Sequence, residues 1–212
     1  SQGNKAAQRM TLPQEIDLNG VRIFQGALDR QAQIDLLEDV RCILRTAPLV
    51  QPYTPSGKPM SVRMSAAGDF GWVTDRAGYR YQRLHPNSAP WPPIPNSLLL
   101  LWSKYSNSTR TPECCLVNWY APDAKMGLHQ DRDEADLTQP VLSISLGDDA
   151  RFRVGGTTRN DPTRSVWLSS GDIAVLGEAG RLAFHGVDKI RPGSSSLMPK
   201  GGRINLTLRV VT

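Results

Sequence analysis

Thiols are scarce in this chain of 212 residues: there are three cysteines, Cys42, Cys114 and Cys115, and none is spaced C-x-x-C. An odd count with two adjacent members builds no paired framework, which weighs against both a secreted disulfide scaffold and a structural zinc site. No run of eighteen apolar residues occurs, so a membrane-spanning helix is not expected. The N-terminus lacks the charged-then-apolar layout of a signal peptide, and it opens Ser-Gln-Gly-Asn without Met, as a trimmed chain would. Sparse thiols suit a reducing compartment, so a cytoplasmic location is expected. Histidine is equally rare, with His85, His129 and His185 the complete set. Any site that needs imidazoles draws on those three.

What is present suits one domain over residues 1–212, long enough to bury a core without covalent staples. The formal charge is +5 and the isoelectric point about 9.3, a mild bias toward an anionic partner. Residues 1 to 12 are polar and expected to be loosely attached. Asn19-Gly20 between apolar residues is a strong hairpin signal. Asp29 is placed to cap a helix whose apolar stripe runs through Ile34, Leu37, Val40, Cys42 and Leu44 until Pro48 ends it. A second helix, capped by Asn96 or Ser97, carries Leu98, Leu99, Leu101, Trp102 and Tyr105. Beyond Cys114 the text turns to short strands: 116–120, 141–146, 151–154, 166–168, 173–176, 182–185 and 203–211. Glycines punctuate them. Many short strands with turns between them predict a mostly β sandwich or barrel-like double sheet with flanking helices.

His129-Gln-Asp131 places an imidazole and a carboxylate two residues apart. On an extended segment such residues project to one side and can converge on one ion. A third ligand is needed. His185, in the strand-like context Arg-Leu-Ala-Phe-His-Gly, is a better candidate than His85, which sits in a loop before Pro86. Two His and one carboxylate make the facial triad of non-heme Fe(II) oxygenases, with three coordination positions left for co-substrate and dioxygen. The bland alternative is a chance H-x-D pair beside a satisfied core histidine.

Arg203-Ile-Asn-Leu-Thr-Leu-Arg209 alternates with period two, the pattern of a half-buried strand. Arg203, Asn205, Thr207 and Arg209 share one face. If that face is interior, two guanidinium groups need anions there, and a dicarboxylate offers each a planar partner. If it is exterior, the strand is a solvated edge.

Residues 52 to 95 are rich in Pro, Gly, aromatics and Arg, and too long for a simple connection. Within them Trp72, Tyr79 and Tyr81 interleave with Arg76, Arg80 and Arg83. Aromatics stack on bases while arginines hold phosphates, so the composition fits a nucleic-acid lid. An ordinary Tyr/Arg-rich hairpin would read the same way.

The ordered set Asn118-x-Tyr120, His129-x-Asp131, His185 and Arg203-x5-Arg209, with linking text such as Asn-x-Tyr-Ala-Pro-x-Ala-Lys and Arg159-Asn-Asp-Pro162, resembles the AlkB family of Fe(II)- and 2-oxoglutarate-dependent nucleic-acid demethylases. The likeness runs from about Met60 to Arg209. It implies a double-stranded β-helix (jelly-roll) core over about 114–212, both helices against one sheet, and an N-terminal nucleotide-recognition lid over about 50–95. It further implies iron on His129, Asp131 and His185, and 2-oxoglutarate held by Asn118, Tyr120, Arg203, Asn205 and Arg209, with the 5-carboxylate on Arg203 and Arg209 nearer the metal. Trp72, Tyr79, Arg80, Tyr81, Asp133 and Arg159 would touch the substrate, the base lying between Trp72 and His129. With dioxygen as the oxidant, the implied reaction removes the methyl of 1-methyladenine, 3-methylcytosine and related lesions in DNA or RNA as formaldehyde. A monomer acting on single- or double-stranded nucleic acid, with no membrane partner, is the corresponding expectation. The segment Pro192 to Gly202 departs from the pattern and receives no role. An oxygenase acting on a protein or small molecule would share the iron and 2-oxoglutarate residues, with no need of the Arg/aromatic lid. A non-enzymatic nucleic-acid binder would not need all three ligands and both arginines.

Overall fold

A computed structural model describes residues 13–212; the expected loose attachment of residues 1 to 12 lies outside them. The chain opens with β1 (Gln14–Leu18) and β2 (Val21–Gln25), joined at Asn19 and Gly20, whose φ values of 50° and 89° give the left-handed pair that a tight two-residue hairpin requires. Helix α1 (Arg30–Thr46) follows, and the Asp29 carboxylate accepts from the Ala32 amide as its cap. Its buried face is Gln33, Leu36, Leu37, Val40 and Ile43, a stripe one step round from the expected one. Ile34 is exposed and so is Cys42, because at 3.6 residues per turn position 42 stands about 200° from Val40.

The elements after α1 are β3 (Val62–Gly68), β4 (Gly71–Asp75), β5 (Gly78–Gln82), α2 (Asn96–Tyr105), β6 (Cys114–Tyr120), β7 (Met126–His129) and β8 (Val141–Gly147). Then come β9 (Asp149–Val154), β10 (Arg164–Leu168), β11 (Ile173–Leu176), β12 (His185–Arg191) and β13 (Arg203–Arg209). Pro95 occupies the cap position of α2, and neither Asn96 nor Ser97 caps it. The Ser97 hydroxyl instead donates to Asp39 on α1 at 2.6 Å, tying the two helices together.

Seven strands form one sheet in the order β1-β2-β11-β8-β13-β6-β3, and four form a second, β10-β9-β12-β7. Neighbours within each are antiparallel. One core, with Ile23, Leu116, Phe152, Val154, Val187 and Ile190, fills the space between the sheets. The other, with Leu36, Val40, Leu98, Trp102, Leu142, Ile144 and Leu206, seats both helices on the large sheet. This is the jelly-roll arrangement. The stretch grouped from sequence as one lid divides in the fold: β3 joins the large sheet beside β6, whereas β4 and β5 pair only with each other.

Two strands differ from expectation. β7 was not foreseen, and His185 begins β12 where a strand had been expected to end. The alternation of Val187, Lys189 and Arg191 is broken by a register shift beside Asp188, which hides the period in sequence. The segment Pro192 to Gly202 is pinned by the buried Asp148 carboxylate, which accepts from the amides of Ser195 and Gly202, each at 3.1 Å. Leu197 and Met198 pack on the helix-side core. No helix of the described residues is long and apolar enough to cross a membrane.

Candidate metal and co-substrate site

Antiparallel pairing of β7 with β12 sets His129 directly opposite His185, with ring centroids 4.4 Å apart. Each ring is oriented by its own backbone. The Nδ1 of His129 lies 2.8 Å from the Gly127 carbonyl and that of His185 lies 2.9 Å from the Ala183 carbonyl. Nδ1–H donating to those carbonyls leaves each Nε2 lone pair free, the usual way a ligating histidine is fixed. Both Nε2 atoms face Asp131, at 3.7 Å from Oδ1 and 3.5 Å from Oδ2. All three ligand atoms fall within 4.8 Å of one another, so one cation is within reach of all three side chains.

Charge favours the ligating forms. Burial and the neighbouring His185 hold the His129 pKa below its ordinary 6.5. For Asp131 burial acts to raise the pKa, but the Arg209 guanidinium, helped by the contacts with His185 and His129, outweighs it and holds the carboxyl well below 3.8. His85 is elsewhere. Buried, it has both ring nitrogens committed, Nε2 to the Pro48 carbonyl and Nδ1 to the Asn87 amide. It is a satisfied core histidine.

The second half of the site is the inner face of β13. Pairing with β6 sets Arg203 opposite Tyr120, Asn205 opposite Asn118 and Arg209 opposite Cys114, and β8 pairs along the other side. All seven residues of β13 are buried, so the solvated-edge alternative does not hold. Arg203, Asn205, Thr207 and Arg209, with Asn118 and Tyr120, line a cavity of about 630 Å³ that also takes in the three metal-type ligands. Arg203 is only 1% exposed. One of its nitrogens donates to the Ser145 hydroxyl at 3.0 Å, while Nε and Nη1, together with Asn118 Oδ1 and Thr207 Oγ1, have no partner among the described residues. Burial lowers the Arg203 pKa from its ordinary value, and burial, partly offset by Arg203, pushes the Tyr120 phenol up to about 12. A buried guanidinium with two unused donors beside a neutral phenol is a built demand for an anion. The donor set fits a carboxylate.

Arg209 lies at the metal end, with Nη1 3.2 Å from Asp131 Oδ1 and 3.6 Å from Glu134 Oε1. Glu134 in turn accepts from Arg181 at 2.8 Å, and Arg181 also donates to the carbonyls of Asp131 and Gln139. Sequence reasoning passed over Glu134 and Arg181. The acidic run Asp131-Arg-Asp-Glu134 could have signalled a demand for a second cation, but nothing local marks Arg181 as its source. Their side chains are 1% and 4% exposed, and removing one partner of a buried pair costs about 3–5 kcal/mol. Arg181→Ala is therefore expected to lower unfolding free energy by about that amount in urea titration; a loss within the scatter of surface substitutions would show that the cluster is not stabilising.

At the rim, Trp72, Thr74, Tyr79 and Tyr81 share one face of the β4–β5 hairpin, as their cross-strand pairing requires. Trp72 and Tyr79 stack at 5.5 Å and 17°, and the Trp72 indole donates to Asp133 Oδ2 at 2.9 Å. These three residues and Arg159, which sits over the Phe184 ring and donates to the Leu128 carbonyl, line the cavity. Arg80 does not reach it. Paired with Val73, it lies on the other face and closes a double hydrogen bond on Asp75. Tyr81 turns inward, its hydroxyl 3.2 Å from Glu134 Oε2. A strand that interleaves Tyr with Arg must send them to opposite faces, a consequence that the reading of both as substrate contacts had neglected.

The chain matches the family described as the 2OG-Fe(II) oxygenase superfamily over residues 20–209. It is 56% identical over 191 residues to the alpha-ketoglutarate-dependent dioxygenase AlkB homolog of Caulobacter vibrioides, covering 90% of this chain and 87% of that protein. It is 40% identical over 179 residues to the alpha-ketoglutarate-dependent dioxygenase AlkB of Escherichia coli K12, covering 82% of each. The solved structure of OsALKBH1 superposes with a TM-score of 0.75 at 28% identity, covering 93% of this chain and 99% of that one.

Proposed function

Since the chain belongs to the 2OG-Fe(II) oxygenase superfamily, and within it to the AlkB family, we infer that it is an alpha-ketoglutarate-dependent dioxygenase that demethylates alkylated nucleic acid in DNA repair. One observation carries the reading at the level of residues. The His129, Asp131 and His185 cluster and the unpartnered guanidinium of Arg203 open on the same cavity. His129, Asp131 and His185 would hold Fe(II). Arg203, with Tyr120 and Asn118, would take the far carboxylate of 2-oxoglutarate; Asn205 would line the pocket between, and Arg209 would steady Asp131. Once bound, iron with dioxygen and 2-oxoglutarate supplies the oxidation: the co-substrate leaves as succinate and carbon dioxide, the N-methyl group gains a hydroxyl, and the hydroxymethyl group departs as formaldehyde. The protein supplies binding, orientation and charge.

Trp72 and His129 both line the cavity, and Trp72 would offer the base a stacking face. A methyl on the pairing edge of a base is out of reach inside a duplex, so the nucleotide is flipped out or already single-stranded. Asp133 holds the Trp72 indole through Oδ2, which leaves Oδ1 to accept from an exocyclic amine and to offset the positive charge of 1-methyladenine or 3-methylcytosine.

Matched single- and double-stranded oligonucleotides carrying 1-methyladenine, incubated with Fe(II) and 2-oxoglutarate, should release formaldehyde and succinate in equal amounts. Succinate formation indifferent to the methyl group would move the activity to a protein or small-molecule substrate. Trp72→Ala should lose about 1–3 kcal/mol of oligonucleotide binding at an unchanged 2-oxoglutarate requirement. Wild-type affinity in that variant would make β4–β5 an ordinary hairpin.

A further inference from the structure

Among the described residues the β4–β5 hairpin pairs with no other strand, and a two-stranded ribbon alone is marginally stable in water. It is secured to the body at both ends: near the turn Thr74 exchanges hydrogen bonds with the Tyr53 backbone, and at the open end the Trp91 indole donates to the Gln82 carbonyl. Nearest the cavity two further side chains add to the hold. Trp72 and Tyr81 are cross-strand partners, so they share a face, and they clasp consecutive residues, Asp133 and Glu134.

The two clasps differ. Trp72 with Asp133 is exposed and competes with water, whereas Glu134 is buried. Its carboxylate is divided between two neighbours. Oε1 faces Arg181 at 2.8 Å and Arg209 at 3.6 Å, and Oε2 takes the Tyr81 hydroxyl. Arg209 also contacts Asp131. An unbroken run of polar contacts therefore leads from the hairpin, through Tyr81, Glu134 and Arg209, to the metal-side carboxylate.

We propose that Tyr81 is a positioning residue whose bond to Glu134 holds the stacking hairpin closed over the site and in register with Asp131. This rests on the reading of Trp72 as the base platform. Tyr81 itself touches no substrate, since its hydroxyl is spent on an interior carboxylate and its side chain lies outside the cavity lining. Without the phenol, Glu134 Oε2 is buried with no donor, and the hairpin keeps its backbone ties at Thr74 and Gln82, its packing on the core and the exposed clasp. The platform then opens more often.

Tyr81→Phe keeps the ring and removes only the hydroxyl. Amide hydrogen exchange across residues 71–82 of the free protein should then quicken by up to about 10- to 150-fold, the range for losing a hydrogen bond to a charged group. The KM for a methylated oligonucleotide should rise while kcat and the KM for 2-oxoglutarate hold. Adding Glu134→Gln should produce less further change than it does alone, because contacting residues are non-additive. Unchanged exchange, or both KM values rising together, overturns the proposal and leaves Tyr81 as packing. The exchange experiment needs no turnover, so it decides the contact even if the demethylase reading fails.

Discussion

Replacing His185 with alanine is expected to reduce turnover to background and to weaken iron binding, with the fold intact. The imidazole is one of three ligands, and its Nε2 faces Asp131 at 3.5 Å with the ring already oriented by the Ala183 carbonyl. Two ligands, one a surface-accessible histidine, cannot hold a cation in a facial arrangement. Stability should change little by comparison. Asp131 keeps Arg209 as its counter-charge, so no unpaired buried carboxylate is left behind. Titration with Mn(II) as a redox-silent probe, alongside thermal melting, separates the two effects. Normal iron affinity and activity in the variant would mean that the third ligand is not His185. His85 would not be its successor, since both of its nitrogens are occupied.

Arg203→Ala should raise the apparent 2-oxoglutarate KM by about 10- to 150-fold, the equivalent of about 1.5–3 kcal/mol for a hydrogen bond to a charged group. The free protein offers a second readout. Arg203 is a buried cation with two idle donors and a single neutral partner in Ser145, and such a charge is a desolvation burden until an anion arrives. Its removal should therefore leave the melting temperature of the free protein unchanged or higher, while abolishing the rise that 2-oxoglutarate gives the wild type. Oligonucleotide affinity should not move. An unaltered co-substrate dependence would sink the assignment.

The alternation in Arg203 to Arg209 was readable because a period of two specifies a face whatever the surroundings. Which face is inner depended on neighbours, and only β6 and β8 on either side decide it. His129 and Asp131 were legible for the same local reason. Glu134 and Arg181 were not: 47 positions separate them, and a pair made by folding leaves no periodic trace. Arg80 and Tyr81 misled because composition records which side chains are near in sequence and not the side of the strand on which each stands. β3 looked like lid text for a similar reason, since its partnership with β6 is a tertiary fact.

The position of β13 has a consequence for biogenesis. It is the last strand in chain order yet lies inside the large sheet between β6 and β8. Arg203 and Arg209, the two arginines at the inner face of the cavity, ride on it. His129, Asp131 and His185 precede in the chain the strand that brings Arg203 and Arg209, and without β13 the pairing of β6 to β8 across the sheet is lost. Such distant pairings form late and slowly. The co-substrate pocket is thus complete only when Arg203–Arg209 has paired with both β6 and β8.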